Sequence, residues 1–209
     1  MIAADTPFAE PERGRRAHIL AAAERAFARH GFGAATMQDV ALEAGMSPGN
    51  LYRYFRSKDA IVAGLCERDQ AELAGDFTRL AGSDNLFEAM ALVLRKRLID
   101  LPRDRLQLGM EIWAESTRNP AIAAIRSEVD AVVQARLGAV VASAKRQGLA
   151  AVDLDEDLAV RAMLTIGSGL FKRRVHEPNF DGEAEVALAL GLFEAVLRGA
   201  VRAFPRGRP

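Results

Sequence analysis

The sequence predicts an all-α protein of about nine helices. Apolar residues recur at helical spacing along most of the chain. Ser, Thr, Asp or Asn before these segments, and Gly or Pro after them, are typical capping signals. No segment alternates convincingly between apolar and polar residues, and no Asn-Gly or Asp-Gly turn joins two apolar runs as in a β-hairpin. We therefore expect a fold of packed helices, with the first three forming a small N-terminal domain.

The composition allows a large core but gives no overall positive charge. Half of the 209 residues are apolar, and the 28 Lys and Arg residues equal the 28 Asp and Glu residues in number. A site for a polyanion would therefore need a local basic patch. Two groups of cationic residues could form such a patch. The first group, which precedes the first predicted helix, is Arg13, Arg15 and Arg16, and the second group is Arg53, Arg56 and Lys58. The first group fits a solvated arm and a DNA-contacting arm equally well.

The stretch TMQDVALEAGMSPGNLYRYFRSK, which begins at Thr36, predicts two short helices around a tight turn. Thr36 is a natural N-cap for the first helix, with Asp39 as its capping-box partner. Gly45 ends that helix, because glycine adopts the left-handed conformation without strain. Ser47 caps the second helix, and Pro48 suits its first position. This order predicts a helix-turn-helix, a common DNA-binding element.

The second short helix has the composition of a recognition helix. Such a helix enters the major groove with its N-terminal end, where small or polar residues let the backbone approach the bases: Ser47, Pro48, Gly49 and Asn50. The Asn50 amide can pair with adenine N6 and N7, and Arg53 can reach guanine O6 and N7. Phosphate oxygens suit the hydroxyl or ammonium groups that follow: Tyr52, Tyr54 and Lys58. Each residue alone fits a solvated surface equally well, but the combination favours DNA binding.

From about Ile19 to Leu65 the sequence resembles the N-terminal domain of TetR-family transcriptional regulators. The resemblance rests on an amphipathic first helix, the turn HGF and the pattern T-x-x-D-V-A-x-x-A-G-x-S-x-x-x-L-Y-x-Y-F-x-S-K-D. It implies phosphate contacts from Thr36, Tyr52, Tyr54 and Lys58, and base contacts from residues 47–50 with Arg53. It also implies a small three-helix core that contains Ala41, Leu51 and Phe55.

Four further helices are predicted before the last pair. Ser57 and Asp59 start a fourth helix that ends at Gly82. A fifth covers about residues 85–101 and stops before Pro102, and a sixth covers about residues 103–117. A seventh begins at Asn119 and Pro120, carries a long apolar stripe, and ends at Gly148.

The last two predicted helices, residues 155–175 and about 182–204, are joined by a short connection, so we expect them to be antiparallel neighbours. Both contain several alanines and glycines. An interior glycine costs about 1 kcal/mol relative to alanine, so several together suggest close approach by another helix. We expect a homodimer through a four-helix bundle of this pair and its copy, as the resemblance also implies. Packing within the chain is the alternative.

A ligand cavity is predicted between the helix-turn-helix domain and the last pair of helices. Large, adaptable side chains that can line an apolar cavity occur there: Phe87, Met90, Met110, Trp113, Met163 and Phe171. For each of them taken singly, a place in an ordinary hydrophobic core is the more common role.

Several classes of function are excluded or disfavoured. Cys66 is the only cysteine, so neither an intrachain disulfide nor a cysteine-rich zinc site is possible. The histidines His18, His30 and His176 are scattered, and no nucleophile motif or phosphate-binding glycine loop occurs. We therefore expect no catalytic residues, no metal and no cofactor. Without a signal-peptide pattern or a long uncharged apolar run, we expect a cytoplasmic protein with no membrane partner.

These observations predict a disordered tail over residues 1–12, a helix-turn-helix domain over 13–58, and a helical effector-binding and dimerisation domain over 59–209. We expect a ligand-responsive, sequence-specific regulator of transcription. It would act as a repressor, bind a palindromic operator in double-stranded DNA as a homodimer, and be released by a small, largely apolar molecule. The alternatives are a TetR-like activator or constitutive DNA binder and, more distantly, a helical enzyme or carrier.

Overall fold

The computed structural model describes residues 10–202, which contain nine α-helices, a short π-helix and no strand. The helices are α1 Glu10–His30, α2 Met37–Glu43, α3 Pro48–Tyr54, α4 Lys58–Ala81, α5 Leu86–Arg95, the π-helix Lys96–Asp100, α6 Arg103–Glu115, α7 Pro120–Arg146, α8 Glu156–His176 and α9 Gly182–Leu197. The prediction of an all-α protein is confirmed. In this part of the chain no helix has the length and apolar character needed to span a membrane.

Helix α1 starts earlier than the sequence predicted. It begins at Glu10, so Arg13, Arg15 and Arg16 lie inside the helix, and the prediction that they precede it was wrong. A proline and two glutamates at its start favour a helix there, because proline suits the first turn and carboxylates complement the helix dipole. The predicted tail over residues 1–12 therefore overlaps α1, and its first nine residues lie outside the described part of the chain.

Two other boundaries differ from the prediction. Helix α9 ends at Leu197 rather than at residue 204, because Gly199 has a φ of +73° and its N–H donates to the Val196 carbonyl at 3.0 Å. The fifth predicted helix changes type at Lys96. Its last turn is a π-helix, in which the Leu101 N–H donates to the Lys96 carbonyl at 3.1 Å.

The residues pack as two compact units. One contains the chain up to Arg68 together with Gln107–Ile125, and the other contains Asp69–Leu106 and the residues from Arg126 onward. Helices α4, α6 and α7 therefore each contribute residues to both units. The sequence placed a boundary after residue 58, between two helices, whereas these units divide α4 itself.

The core of the first unit contains the predicted small core. Ala41, Leu51 and Phe55 are buried together, as expected. Phe27 and Phe32 pack edge to face in this core, with ring centroids 5.3 Å apart. Helices α4, α6 and α7 add further buried residues: Ile61, Val62, Leu65, Leu108, Ile112 and Ile122.

Gly64 allows α4 to approach this core closely. A Cβ atom at this position would lie 3.0 Å from Phe55 Cε1 and 3.1 Å from Leu20 Cδ2, which is closer than side chains normally pack. The glycine therefore sets the distance between α4 and the core beneath the helix-turn-helix.

The second unit contains a buried ion cluster around Asp76 of α4. The Asp76 carboxylate is fully buried and accepts hydrogen bonds from Lys96 Nζ at 2.9 Å, Arg97 Nη2 at 2.8 Å and Arg79 Nη2. Burial by itself raises the pKa of Asp76, but the hydrogen bonds from Lys96, Arg97 and Arg79 outweigh it, so the pKa lies below its usual range. The carboxylate is therefore ionised in the folded protein at neutral pH.

Replacing Gly64 with valine should loosen the first unit. The added side chain meets Phe55 and Leu20 in a packed core, so we expect a loss of about 1–3 kcal/mol in the free energy of unfolding. Gly75→Ala is the matched control in the same helix, because nothing lies within 4 Å of a Cβ at Gly75. It should gain about 0.5–1 kcal/mol from helix propensity. Urea denaturation measures both, and equal effects would contradict the close approach.

Replacing Asp76 with asparagine should destabilise the protein by about 3 kcal/mol, because three cations lose their shared counter-ion. The folded pKa of Asp76 is below its unfolded value of about 3.9, so the stabilisation is complete above that value and is lost as pH falls through the folded pKa. The difference from wild type should be constant near neutral pH and shrink below about pH 4 in denaturant titrations. The control Asp130→Asn removes an exposed partner of Arg126 and should cost less than about 1 kcal/mol.

Candidate DNA-binding site

Helices α2 and α3 form the predicted helix-turn-helix. Gly45 lies between them with a φ of +64°, in the left-handed region that favours glycine. The turn is closed by backbone hydrogen bonds, including one from the Met46 N–H to the Ala41 carbonyl at 3.0 Å. Val40, Ala41 and Leu51 of the two helices are buried, so the opposite faces are left for solvent or a partner.

The N-terminus of α2 has the capping box that the sequence predicted. The Asp39 N–H donates to Thr36 Oγ1 at 3.2 Å, and the Thr36 N–H donates to Asp39 Oδ2 at 2.8 Å. Hydrogen bonds from the Thr36 hydroxyl and backbone hold the pKa of Asp39 below its usual range. The Thr36 hydroxyl is exposed but already donates to Asp39, so a phosphate contact through it would compete with this bond.

The N-terminal end of α3 is open. Ser47 accepts a hydrogen bond from the Asn50 N–H at 3.3 Å and is the N-cap, and Pro48 occupies the first turn as predicted. Ser47, Pro48 and Gly49 are exposed, whereas Asn50 is half-buried. Nothing lies within 4 Å of the position that a Cβ atom would occupy at Gly49, so the backbone there can be approached closely from outside.

The C-terminal half of α3 presents the remaining predicted contacts. Tyr52 is 48% exposed, Arg53 is exposed and Tyr54 is half-buried. The Tyr54 backbone carbonyl accepts a hydrogen bond from Arg16 Nη1 at 3.2 Å. The guanidinium of Arg16 also lies 4.5 Å from the centre of the Phe55 ring. The arginine that sequence reasoning assigned to a basic arm therefore supports the end of the recognition helix.

Lys58 is engaged within the protein. Its Nζ atom donates to the carbonyls of Phe32, Gly33 and Ala35 at 2.7, 3.2 and 3.2 Å. It also lies 4.5 Å from the centre of the Phe32 ring. An ammonium group has three donors, so a phosphate contact from Lys58 would require it to release one of these carbonyls. That contact stays a prediction.

Two other side chains connect distant elements to the helix-turn-helix, and sequence reasoning missed both. The Nε2 atom of His18 in α1 lies 3.0 Å from the Ala44 carbonyl at the end of α2. Glu111 Oε2 in α6 accepts a hydrogen bond from the Phe32 N–H at 2.6 Å. Both partners are backbone groups far away in sequence, so spacing and residue type gave no signal for either bond.

The six residues predicted to line a ligand cavity belong to different packing groups, and the cavity stays a prediction. Phe87, Met90 and Met163 pack in one hydrophobic cluster of the second unit, and Phe171 packs in a neighbouring cluster. Met110 and Trp113 belong to the first unit, where Trp113 is 56% exposed. A cleft in the second unit is lined by other residues, near Asp153 and Arg198.

Among the described residues, no group of three or more His, Cys, Asp or Glu side chains could hold a metal ion. Cys66 is half-buried in α4 and has no disulfide. The interactions of this surface are thus those of hydroxyl, amide and guanidinium groups, which are the groups that proteins use to contact DNA.

Comparisons with known proteins agree with this geometry. Residues 19–65 match the family described as bacterial regulatory proteins, tetR family. UidR, an HTH-type transcriptional regulator of Escherichia coli (strain K12), is 26% identical over 165 residues, which are 78% of this chain and 81% of UidR. The structure of Salmonella enterica GusR is similar with a TM-score of 0.77 at 24% identity, over 91% of this chain and 98% of GusR.

A further structural neighbour is SmeT in complex with triclosan, with a TM-score of 0.74 at 22% identity over 94% of this chain and 99% of SmeT. SmeT is described as the repressor of the Stenotrophomonas maltophilia multidrug efflux pump SmeDEF. The family, UidR and SmeT are regulators rather than enzymes. The helix-turn-helix over residues 19–65 thus matches the TetR family of bacterial regulatory proteins, and most of the chain is similar to the transcriptional regulators UidR and SmeT.

Proposed function

We propose that the protein is a ligand-responsive repressor that binds a palindromic operator as a homodimer. The observation that carries the proposal is the exposed N-terminal end of α3, where Ser47, Pro48 and Gly49 leave the backbone open while the rest of the helix is fixed by packing. A surface of this shape suits the edges of bases in the major groove.

Direct readout of bases is assigned to the residues at and after this end. Asn50 would pair with adenine and Arg53 with guanine, while Ser47, Pro48 and Gly49 make close contact. Thr36, Tyr52 and Tyr54 would contact phosphates and fix the register of the helix. Lys58 would have to release one of the three carbonyls that its ammonium binds before it could contact a phosphate.

Dimerisation is assigned to α8 and α9. A stripe of α9 that faces solvent consists of small or apolar residues at helical spacing: Ala184, Ala187, Leu188, Gly191 and Leu192. Leu188 and Leu192 are 49% and 40% exposed, although they are large apolar side chains. On α8, no atom lies within 4 Å of a Cβ at Gly167 or Gly169, so another helix has room to approach. These features favour a four-helix bundle with the same pair of a second copy.

Such a dimer completes the DNA-binding site. One helix-turn-helix, called the reading head below, contacts only a few base pairs. Two reading heads related by a two-fold axis match a palindrome with half-sites about one helical turn apart. The sign of regulation is proposed from SmeT, which is a repressor.

The effector is proposed to be a small, largely apolar molecule that enters the second unit near Phe87, Met90 and Met163. Methionine side chains adapt their shape, and aromatic side chains commonly line apolar ligand pockets. The complex of SmeT with triclosan is a precedent for an apolar ligand in this fold. Binding would favour one arrangement of the helices that belong to both units, α4, α6 and α7, and lower the population that can bind DNA.

An activator or a constitutive DNA binder is the second candidate. It shares the same reading head and differs only in its response. Titration of apolar compounds into the protein–DNA complex separates the two: release of DNA supports the repressor, and retention of DNA by every compound that binds the second unit refutes the allosteric part.

Two substitutions in α3 should affect DNA binding in different ways. Asn50→Ala should remove the preference at particular adenines, at a cost of about 1–3 kcal/mol for the preferred sequence. Tyr54→Phe removes one hydroxyl and should weaken binding to all sequences equally, by about 1 kcal/mol. In vitro selection of DNA followed by titration measures both. An unchanged consensus with Asn50→Ala would place the recognition surface elsewhere.

Leu188→Glu together with Leu192→Glu should convert the dimer to monomers, because two carboxylates would be buried without partners at the interface. Leu92→Glu is the matched control, since Leu92 on α5 is also strongly exposed but lies outside the proposed interface. Sedimentation velocity measures the oligomeric state, and operator affinity should fall with loss of the dimer. A double variant that stays dimeric would show that α9 is not the interface.

A further inference from the structure

We propose that Glu111 and Lys58 are positioning residues for DNA binding. They act by holding the backbone of Phe32, Glu111 at its N–H and Lys58 at its carbonyl. The proposal goes beyond the operator, the effector and the dimer, and it requires only that the helix-turn-helix binds DNA. Glu111 belongs to α6 and Lys58 is the first residue of α4, so the two helices meet the reading head at one residue.

The geometry at Phe32 is specific. Its N–H donates to Glu111 Oε2 at 2.6 Å, and its carbonyl accepts from Lys58 Nζ at 2.7 Å. A carboxylate on the donor side and an ammonium on the acceptor side of neighbouring backbone groups polarise both bonds in the direction that strengthens them. Phe32 itself is 3% exposed, so its N–H would have little access to water if Glu111 were removed.

The Phe32 backbone controls the start of α2. It lies in the turn between α1 and α2, where the Ala35 N–H donates to the Gly31 carbonyl at 3.1 Å. Lys58 also binds the carbonyls of Gly33 and Ala35, and Thr36, the N-cap of α2, follows at once. The two side chains therefore fix both ends of the short segment that leads into the helix-turn-helix.

The position of Glu111 on α6 makes this bond responsive to that helix. The Glu111 carboxylate is the acceptor for a backbone donor 79 residues away in sequence, and its other oxygen accepts a long hydrogen bond from Gln107 one turn earlier. A hydrogen bond is lost when its heavy atoms lie about 3.6 Å apart or its angle falls below about 120°. A displacement of α6 by about 1 Å away from Phe32 would therefore release the Phe32 N–H.

A positioning role predicts a particular pattern of binding. If Glu111 keeps the reading head in its binding-competent arrangement, its loss lowers the fraction of competent molecules and weakens binding to every sequence by the same factor. The contacts made by the competent molecules stay the same, so the dependence of affinity on salt concentration should not change.

The experiment compares the full-length protein with Glu111→Met and Glu115→Met. The first variant keeps the length of the side chain and removes both its charge and its hydrogen-bond acceptor. The second is the matched control, because Glu115 lies one turn further along α6 and pairs with the exposed Arg118 in the same stretch of chain. Amide hydrogen exchange of the DNA-free protein reports on the Phe32 N–H, and titration with random-sequence duplex DNA at several salt concentrations reports on binding.

With Glu111→Met we expect the Phe32 amide to exchange about tenfold faster and DNA affinity to fall about tenfold, with the same salt slope. Glu115→Met should change both by less than about twofold. Unchanged exchange at Phe32 would overturn the proposal. Faster exchange with unchanged DNA affinity would also overturn it, since Glu111 would then serve only the stability of the fold.

Lys58→Met tests the bond to the Phe32 carbonyl. A positioning role predicts the same loss of affinity with an unchanged salt slope. A slope reduced by about one would instead make Lys58 a phosphate ligand and overturn its part in the proposal. Wild-type protein that bound no duplex at all would refute the DNA-binding function, whereas the exchange at Phe32 would still decide whether Glu111 holds the turn.

Discussion

The helix-turn-helix consists of two helices of seven residues each, and a helix of that length is not stable by itself in water. Every feature of this element therefore depends on tertiary packing. Leu51 and Phe55 anchor α3 in the core, where Phe27 and Phe32 also pack. Side chains from α1 bind backbone carbonyls at the ends of α2 and α3, and side chains from α4 and α6 bind the turn before α2. The position of the two short helices thus depends on their neighbours.

In the second unit, a change of helix type lies beside the buried ion cluster around Asp76. The helices of this unit are long, but α5 passes into a π-helix at Lys96, where the adjacent residues Lys96 and Arg97 both reach the carboxylate of Asp76. An ordinary α-helical turn separates consecutive side chains by about 100° around the axis. The wider π-helical turn coincides with a pair of contacts to one buried charge. The change of helix type thus lies where two adjacent side chains share one buried carboxylate.

Local signals in the sequence predicted the parts of the fold that local physics controls. The caps at Thr36 and Ser47 and the left-handed glycine at position 45 depend on neighbouring residues only, and the structure has all three. The end of α9 at Gly199 was also encoded locally, but the apolar residues that follow suggested a longer helix. The bonds from Glu111 and Lys58 join residues that are far apart in sequence. They became visible only once the fold brought α6 and α4 to the turn at Phe32.

One exposed side chain on α6 has a practical consequence. Trp113 is the only tryptophan of the chain, it is more than half exposed, and it lies two residues from Glu111. Indole emission shifts in wavelength with the polarity of its surroundings, so the native protein carries a built-in fluorophore on the helix that binds the turn at Phe32. A change in the environment of α6, whether caused by an effector, by DNA or by temperature, can be followed optically without attaching a label.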